Sequence, residues 1–341
     1  MERLIVRRPA ASLPRGKKND ICDVPGVRVG HYTLDTDTHH TGVTVVLPCS
    51  DNPFTQKLTA ASHVVNGFGK TAGLVQVEEL GTLETPLALT NTLNVGCIHD
   101  ALVRYTVERC EKEGVEATSV NPVVLECNDA FLNDIRDPVL GADALNAAMR
   151  DAKNTVAQGA VGAGRGMTCF GLKGGIGSAS RVVTLGERDY TVGVLTLCNH
   201  GASGDLMIGG QLIGEKIARQ LEASTPDKGS CIIVLATDLP VSDRQLHRII
   251  KRCAVGLIRT GSYLGHGSGD IAIGFTTRNR VTGTGDVQQM ERMNEDKLNP
   301  AFRAAAEAAE EAVVNALWYA KPLTGYRGHT RRALSEFVEL M

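Results

Sequence analysis

A glycine–serine pair, Gly229-Ser230, stands directly before six apolar or small residues, Cys231 to Ala236, with Thr237-Asp238 and a Leu-Pro stop beyond. Such a run of β-branched and apolar residues between turn formers predicts a strand buried on both faces. Ser230 then lies at the mouth of a central strand, where a small hydroxyl faces a cleft on rigid support. Gly229 gives the preceding peptide unusual conformational freedom. The chemistry expected is cleavage of the Gly229–Ser230 bond by the protein itself, leaving Ser230 as both nucleophile and new amino terminus. A serine hydroxyl is a weak nucleophile until a base takes its proton. An N-terminal serine carries that base as its own α-amine, whose unperturbed pKa of about 7.7–8.0 leaves it partly neutral near pH 7. Before the cut this nitrogen is an amide, so cleavage must precede activity. Alone, Ser230 also fits a strand-entry serine without chemistry.

Other polar groups fall at the ends of expected strands. YTVGVLTLCNHG (190–201) predicts a long buried strand ending at Asn199, an amide that can donate into a cleft or close an Asx turn. NPVVLECNDAFLND (121–134) predicts a buried strand that then exposes Glu126, Asn128 and Asp129, where α/β proteins place sites. A plain turn accounts equally for Asn128 and Asp129. TGSYLGHGSGDIAIGFTT (260–277) is a Gly-rich loop entering an alternating strand. Two other glycine-rich stretches are set aside. Gly69-Lys70-Thr71 lacks the P-loop glycine, with Val64 in its place, and Gly174-Gly175-Ile176-Gly177-Ser178 runs on into strand instead of opening a helix. His39 and His40 read as part of a solvated turn.

The elements that must position these groups follow from periodicity. Residues 1–18 form a basic lead-in, and NDICDVPGVRVGHYTL (19–34) predicts strand, turn, strand. TGVTVVLP (41–48) is a further strand. Helices are expected at 99–114, 141–154, 206–222, from the Ser242-Asp243 cap to about Arg259, and at 300–320, with a tail helix to Met341. The glycines of 159–183 are expected to make a hairpin or bulge that lets backbone crowd a pocket. Strands and helices alternate irregularly, which predicts layered α/β or α+β architecture in place of a strict doubly wound sheet.

Composition excludes several classes. The 341 residues carry 36 Lys+Arg against 38 Asp+Glu, a formal net charge of -2, which gives no reason to expect nucleic acid or an acidic membrane as partner. Aromatic residues are only 4%, so stacking platforms for bases are scarce. Nine cysteines are scattered without a CxxC pair, excluding zinc-ribbon and thioredoxin-like motifs and fitting a reducing, cytoplasmic setting. No signal-peptide core and no run of 18 apolar residues occurs. No metal or cofactor is expected.

At Ser230 the sequence resembles a known family. GSCIIVLATDLPVSDRQLHRI, NDICDVPGVRVGHYT, LKGGIGSASR and GSGDIAI, co-linear from about residue 19 to 280, are similar to the L-aminopeptidase/D-Ala-esterase/amidase (DmpA) and β-peptidyl aminopeptidase group. The resemblance implies an αββα sandwich of the N-terminal nucleophile hydrolase kind with its own strand connectivity. It implies a single domain over 1–341, cut into 1–229 and 230–341, and assembly of the processed pairs into a homo-oligomer. It places the family's second serine and following acid on Ser268 and Asp270, its oxyanion-stabilising asparagine on Asn199, and the acid that holds the substrate's free amine on Glu126. Family members near this sequence carry Glu where Asp270 stands, and an aromatic position falls on Asn128 or Phe131. Physical sense supports these placements. Ser268 and Asp270, two apart on an extended segment, project to one side and could both reach Ser230. An asparagine donor to a tetrahedral oxyanion is worth a factor of roughly 10² to 10³ in turnover. A carboxylate at the closed end of a pocket pairs with an ammonium and restricts cutting to amino termini.

The implied activity is release of N-terminal residues (β-alanine, D-alanine or L-amino acids) from short peptides, amides or esters. Two alternatives stand beside it. An acyltransferase of the ornithine acetyltransferase kind shares the self-cleaving logic but uses threonine at the cut. A non-catalytic binding protein with the same fold would keep an intact chain.

Overall fold

The computed structural model describes residues 12–221 and 229–340. Ten strands carry the fold: β1 (Arg28–Asp35), β2 (His40–Leu47), β3 (Gln56–Gly67), β4 (Thr82–Leu83), β5 (Leu87–Asn91), β6 (Val123–Cys127), β7 (Gly175–Leu185), β8 (Arg188–Asn199), β9 (Ser230–Thr237) and β10 (Gly269–Thr282). Seven helices accompany them: α1 (Leu74–Leu80), α2 (Val95–Lys112), α3 (Ala142–Asp151), α4 (Gly214–Leu221), α5 (Asp243–Ile250), α6 (Cys253–Arg259) and α7 (Asn299–Tyr319). One sheet has the order β1-β2-β5-β6 and the other β4-β3-β10-β9-β8-β7. Only β5–β6 and β9–β10 pair in parallel; the remaining neighbours in these sheets are antiparallel.

The period-2 alternation of a strand sorts side chains into layers. On β9, Ile232, Val234 and Ala236 enter the core between the sheets, beside Leu195 and Leu197 of β8 and Val123 and Leu125 of β6. Ile233 and Leu235 face the other way, onto Leu246 and Ile249 of α5 and the alanine-rich α7. Across the first sheet, Val43, Val45 and Val124 pack on Ile98 and Leu102 of α2 and Leu145 of α3. The layers are therefore α, β, β, α. Burying each such aliphatic side chain contributes about 1.5–3 kcal/mol.

Helix α7 is buried around most of its circumference, which its alanines permit. Its two buried acids are matched: Arg181 of β7 reaches Glu307 at 3.1 Å and Glu311 at 2.8 Å. A buried charge without a partner would be strongly destabilising. Close approach of α7 to β7 depends on Gly177, where a Cβ would lie 1.8 Å from the Ala312 carbonyl oxygen. Gly177 thus seats a helix, while Gly171 of the same stretch lies in a hairpin turn that borders a cavity, as the sequence suggested.

Several expected elements differ in detail. The first expected strand of 19–34 is a 3-10 turn, Ile21–Asp23, capped by Asp20. Of the expected 206–222 helix, Gly214–Leu221 is helical among the described residues, and residue 222 lies outside them. Met207–Ile208 and Gln211–Leu212 instead pair across Gly209 and Gly210, whose positive φ values of 59° and 79° suit a tight hairpin. The helix expected up to Arg259 is two helices, α5 and α6. The expected tail helix is a small hairpin, Leu323–Thr324 with Thr330–Arg331, followed by 3-10 turns over Leu334–Leu340. Of the basic lead-in, residues 1–11 lie outside the described residues, while Leu13 and Arg15 are tied to Glu307 and Glu311 of α7. Among the described residues no helix is long and apolar enough to cross a membrane.

Gly177→Ala is expected to cost at least about 1–3 kcal/mol in urea unfolding, because backbone of α7 must retreat. Gly96→Ala on α2, where a Cβ meets nothing within 4 Å, should instead be neutral or add up to about 1 kcal/mol.

Candidate active site

Three strand ends meet in one row. Register pairs Asn199, the last residue of β8, with Ser230, the first of β9, and pairs Ser230 with Gly269, the first of β10. The Gly269 N–H donates to Ser230 Oγ at 3.2 Å. Ser230 is buried and continues the face of Ile232 and Val234 toward the inter-sheet core. The residue before it has room for no side chain: a Cβ on Gly229 would fall 1.6 Å from the Asn199 carbonyl oxygen. Glycine here answers a close approach of backbones.

Ser268 and Asp270 are both buried, and the Ser268 hydroxyl donates to Asp270 Oδ1 at 2.8 Å. Asp270 stands opposite Cys231, one position along from Ser230, so serine and acid are joined first to each other. The loop before them is pinned by Asn66, whose amide donates to the carbonyls of Gly265 and Ser268.

Asn199 is held from two sides. Its side-chain carbonyl accepts the Thr168 N–H at 2.8 Å, and its amide nitrogen donates to the Asn128 carbonyl at 2.9 Å. An amide nitrogen carries two hydrogens, and that contact commits one of them. Thr168 belongs to a short hairpin whose turn, Phe170-Gly171, has positive φ at both residues. Phe170 is fully buried, edge-on to the His200 ring at 5.3 Å. Lys173 locks the hairpin from behind by donating to the carbonyls of Gly164, Met167 and Gly174, in a site where burial pulls its pKa well below the ordinary value.

Glu126 and Asp129 are buried, not exposed as the sequence suggested; of that trio only Asn128 is exposed. The carboxylate of Glu126 accepts the Lys70 N–H at 2.7 Å and the Thr92 hydroxyl. Gly69-Lys70 thus serves a carboxylate and not a phosphate. A Cβ on Gly69 would lie 3.6 Å from both Glu126 Oε1 and Gly269 Cα, which sets Glu126 on the β10 side of Ser230. Burial lifts the Asp129 pKa to about 6, against hydrogen bonds from Thr41, Asn133 and Asn91.

On the β8 side lies a cavity of about 260 Å³, walled by Asn128, Phe131, Phe170, Asn199, Gly229 and Arg331 among others. Glu126 is not part of that wall. Phe131 is stacked on His329, with centroids 4.5 Å apart, and the Arg331 guanidinium carbon stands 3.6 Å from the centre of the same ring. Sequence reasoning considered Phe131 but missed His329, Arg331 and the Phe170 turn. Glycine at 171 was a local signal for that turn; nothing local marks the tail residues. It also missed that strand pairing gathers Cys198 and His200, which flank Asn199 in sequence, with Cys231, so that their ligand-capable atoms lie within 4.8 Å of one another. The Cys198 and Cys231 thiols pack in the apolar core beneath the helices, where burial pushes the Cys231 thiol well above its usual pKa.

The sequence profile of peptidase family S58 matches residues 19–331. The β-peptidyl aminopeptidase BapA of Sphingosinicella microcystinivorans is 40% identical, over 96% of this chain and 87% of that protein. Among solved structures, the PH0078 protein of Pyrococcus horikoshii OT3 superposes with a TM-score of 0.91 at 43% identity, covering 97% of this chain and 95% of the other. The L-aminopeptidase D-Ala-esterase/amidase of Ochrobactrum anthropi, described as a prototype of the serine aminopeptidases and a variant of the Ntn hydrolase fold, superposes with a TM-score of 0.88 at 33% identity, covering 95% and 94%. Fold and relatives together define a hydrolase, a serine aminopeptidase with an N-terminal-nucleophile type of fold. The chain belongs to peptidase family S58. The acyltransferase and binding-protein alternatives gain no support from these relatives.

Gly201 has a φ of 89°, and a Cβ there would press on the Phe170 ring at 2.3 Å. Gly201→Ala is expected to push this cavity wall inward and lower aminopeptidase kcat/KM by at least about tenfold, a loss of about 1.4 kcal/mol. Steady-state kinetics on a short peptide checks this, and unchanged kinetics would detach the Phe170 wall from the substrate site.

Proposed function

We propose that the chain cuts its own Gly229–Ser230 bond and then removes N-terminal residues from short peptides through the freed Ser230. The observation that carries this reading is the row Asn199, Ser230, Gly269, with Gly229 held against the Asn199 carbonyl. In the first step the Ser230 hydroxyl adds to the Gly229 carbonyl carbon, the Gly229–Ser230 C–N bond breaks, and its nitrogen leaves as the Ser230 amine. Water then hydrolyses the resulting ester, giving a Gly229 carboxylate and restoring the hydroxyl. The products are residues 1–229 and 230–341, which remain together because β9 lies between β8 and β10 in one sheet.

In the second reaction the Ser230 amine takes the hydroxyl proton as oxygen attacks the substrate carbonyl, and returns it to the leaving amine as the scissile C–N bond breaks. Water then hydrolyses the Ser230 ester, freeing the N-terminal residue as its carboxylate and restoring the hydroxyl. Asn199 Nδ2 donates to the oxyanion. The Ser268–Asp270 pair orients the amine, and Glu126 pairs with the substrate's ammonium. The BapA relative carries β-peptidyl aminopeptidase in its name, which supports a β-amino acid at the substrate's amino terminus; D-alanyl and L-aminoacyl substrates belong to the same reading. Assembly of processed pairs into a homo-oligomer and a cytoplasmic setting complete it.

Ser230→Ala is expected to give a single full-length, inactive chain, where the wild type gives two fragments, the smaller beginning Ser-Cys-Ile-Ile. Intact mass spectrometry with N-terminal sequencing reads this directly, and an uncut mutant with full activity would end the proposal. Glu126→Gln is expected to raise KM for substrates with a free amine by about tenfold or more, since a charge-assisted contact contributes about 1.5–3 kcal/mol. Equal turnover of N-acetylated and free peptides by the wild type would remove Glu126 from that role.

A further inference from the structure

Among the described residues, Arg331 is the formally charged side chain of the cavity wall, and none of them pairs it with a carboxylate. It donates from Nη1 to the Thr330 carbonyl at 3.2 Å and lies over the face of the Phe131 ring. Nε is buried and has no hydrogen-bond partner. Two other sequestered guanidinium groups have carboxylate partners, Arg181 in Glu307 and Glu311 and Arg165 in Asp35, whereas Arg280 also keeps a buried Nη1 without a partner among the described residues. The polar side chains that share the wall with Arg331, those of Asn128, Thr168, Asn199 and His200, bring no acid. Partial burial opposes the charge, yet arginine stays protonated in proteins. A positive group is thus kept partly desolvated, without a counter-ion among the described residues, at the edge of a cavity that also touches Gly229 and Asn199.

The fold invests in holding it there. The tail hairpin docks on the turn after β6 through the Tyr326 N–H to the Leu132 carbonyl at 2.8 Å and His329 Nδ1 to the Phe131 carbonyl at 2.7 Å. A Cβ on Gly325 would lie 2.3 Å from the Leu132 carbonyl oxygen, so this approach is close. His329 and Arg331 occupy the two faces of Phe131, since both cannot fit on one face at 4.5 and 3.6 Å. The ring steers the guanidinium edge, and a planar fork of donors matches a carboxylate. At about 260 Å³ the cavity is smaller than the usual about 300–1,000 Å³ of drug-sized pockets. A carboxylate reaching Arg331 therefore belongs to a residue close to the bond being cut.

We propose that Arg331 binds the free C-terminal carboxylate of a short peptide substrate, so that the enzyme favours dipeptide acids over their uncharged C-terminal amides. This rests on the reading of Asn199 and Ser230 as the reacting centre. The same chemistry has a second source, the Gly229 carboxylate that self-cleavage would release beside the same cavity, and the test separates the two.

The test compares the purified, processed wild type with Arg331→Gln and Arg331→Lys on one dipeptide and its C-terminal amide, using the N-terminal residue that the wild type cleaves best. The wild type should favour the acid by at least about tenfold in kcat/KM, the scale of a hydrogen bond to a charged group, and the preference should lie in KM. In Arg331→Gln the acid-to-amide ratio should fall close to one, with part of it kept in Arg331→Lys. A wild-type ratio near one, or the same ratio in Arg331→Gln, overturns the proposal. So does an equal loss on acid and amide, which would assign Arg331 to the Gly229 carboxylate or to packing. Should Arg331→Gln fail to fold, the wild type alone decides. A product amino acid should inhibit cleavage of the amide substrate more strongly than its own amide does, and equal inhibition overturns the proposal. Failure of the self-cleavage reading would show in Ser230→Ala and leave the acid-to-amide ratio readable.

Discussion

The site depends on a contact between two backbones. Where β8 ends and β9 begins, the Asn199 carbonyl lies against Gly229 so closely that no Cβ can stand between them. That approach holds Gly229 at the edge of the row formed by Asn199, Ser230 and Gly269. Each neighbour is in turn fixed by a rigid element: Asn199 by the Thr168 hairpin and the Asn128 carbonyl, Gly269 by the parallel pairing of β9 with β10. A reacting centre needs placement to a fraction of an ångström, which strands supply better than loops.

The two faces of β9 divide the work. One face fills the core between the sheets and carries Ser230 at its end; the other packs under α5 and α7 and carries Cys231. A strand buried on both faces is expensive to move, so the serine is presented from a closely packed element. The same logic explains polar groups in the interior. Lys173 spends its donors on three carbonyls that hold the hairpin, and Arg181 neutralises two acids of α7. Arg331 pairs with no carboxylate among the described residues, and its setting at the cavity wall is why it reads as a binding group.

The site's two sides differ in chemistry. Toward β10, Gly69 and Lys70 bring backbone close to the Glu126 carboxylate. Toward β8, the wall is aromatic and cationic, built from Phe131, Phe170 and Arg331. A substrate with an ammonium at one end and a carboxylate near the other would find opposite charges on opposite sides of the serine.

Much of this was legible in the residues themselves. The β9 run, the strand ending at Asn199, the β6 strand and helices α2, α3 and α7 follow from periodicity and turn formers, because burial on one or two faces writes itself into local order. The layered α/β architecture followed from the irregular alternation of those elements. Local order misled where a glycine pair made a hairpin at 209–210 inside an apparently amphipathic stretch, and where packing broke one helix into α5 and α6. It could not place Glu126 and Asp129 in the interior, since burial there comes from the Gly69-Lys70 loop and from β2 and β5, distant in sequence. Nor could it bring Arg331 to Phe131, or Cys198 and His200 to Cys231. Those meetings depend on strand order and on where a tail docks. They are contacts between segments tens to hundreds of residues apart, and only the folded chain decides them.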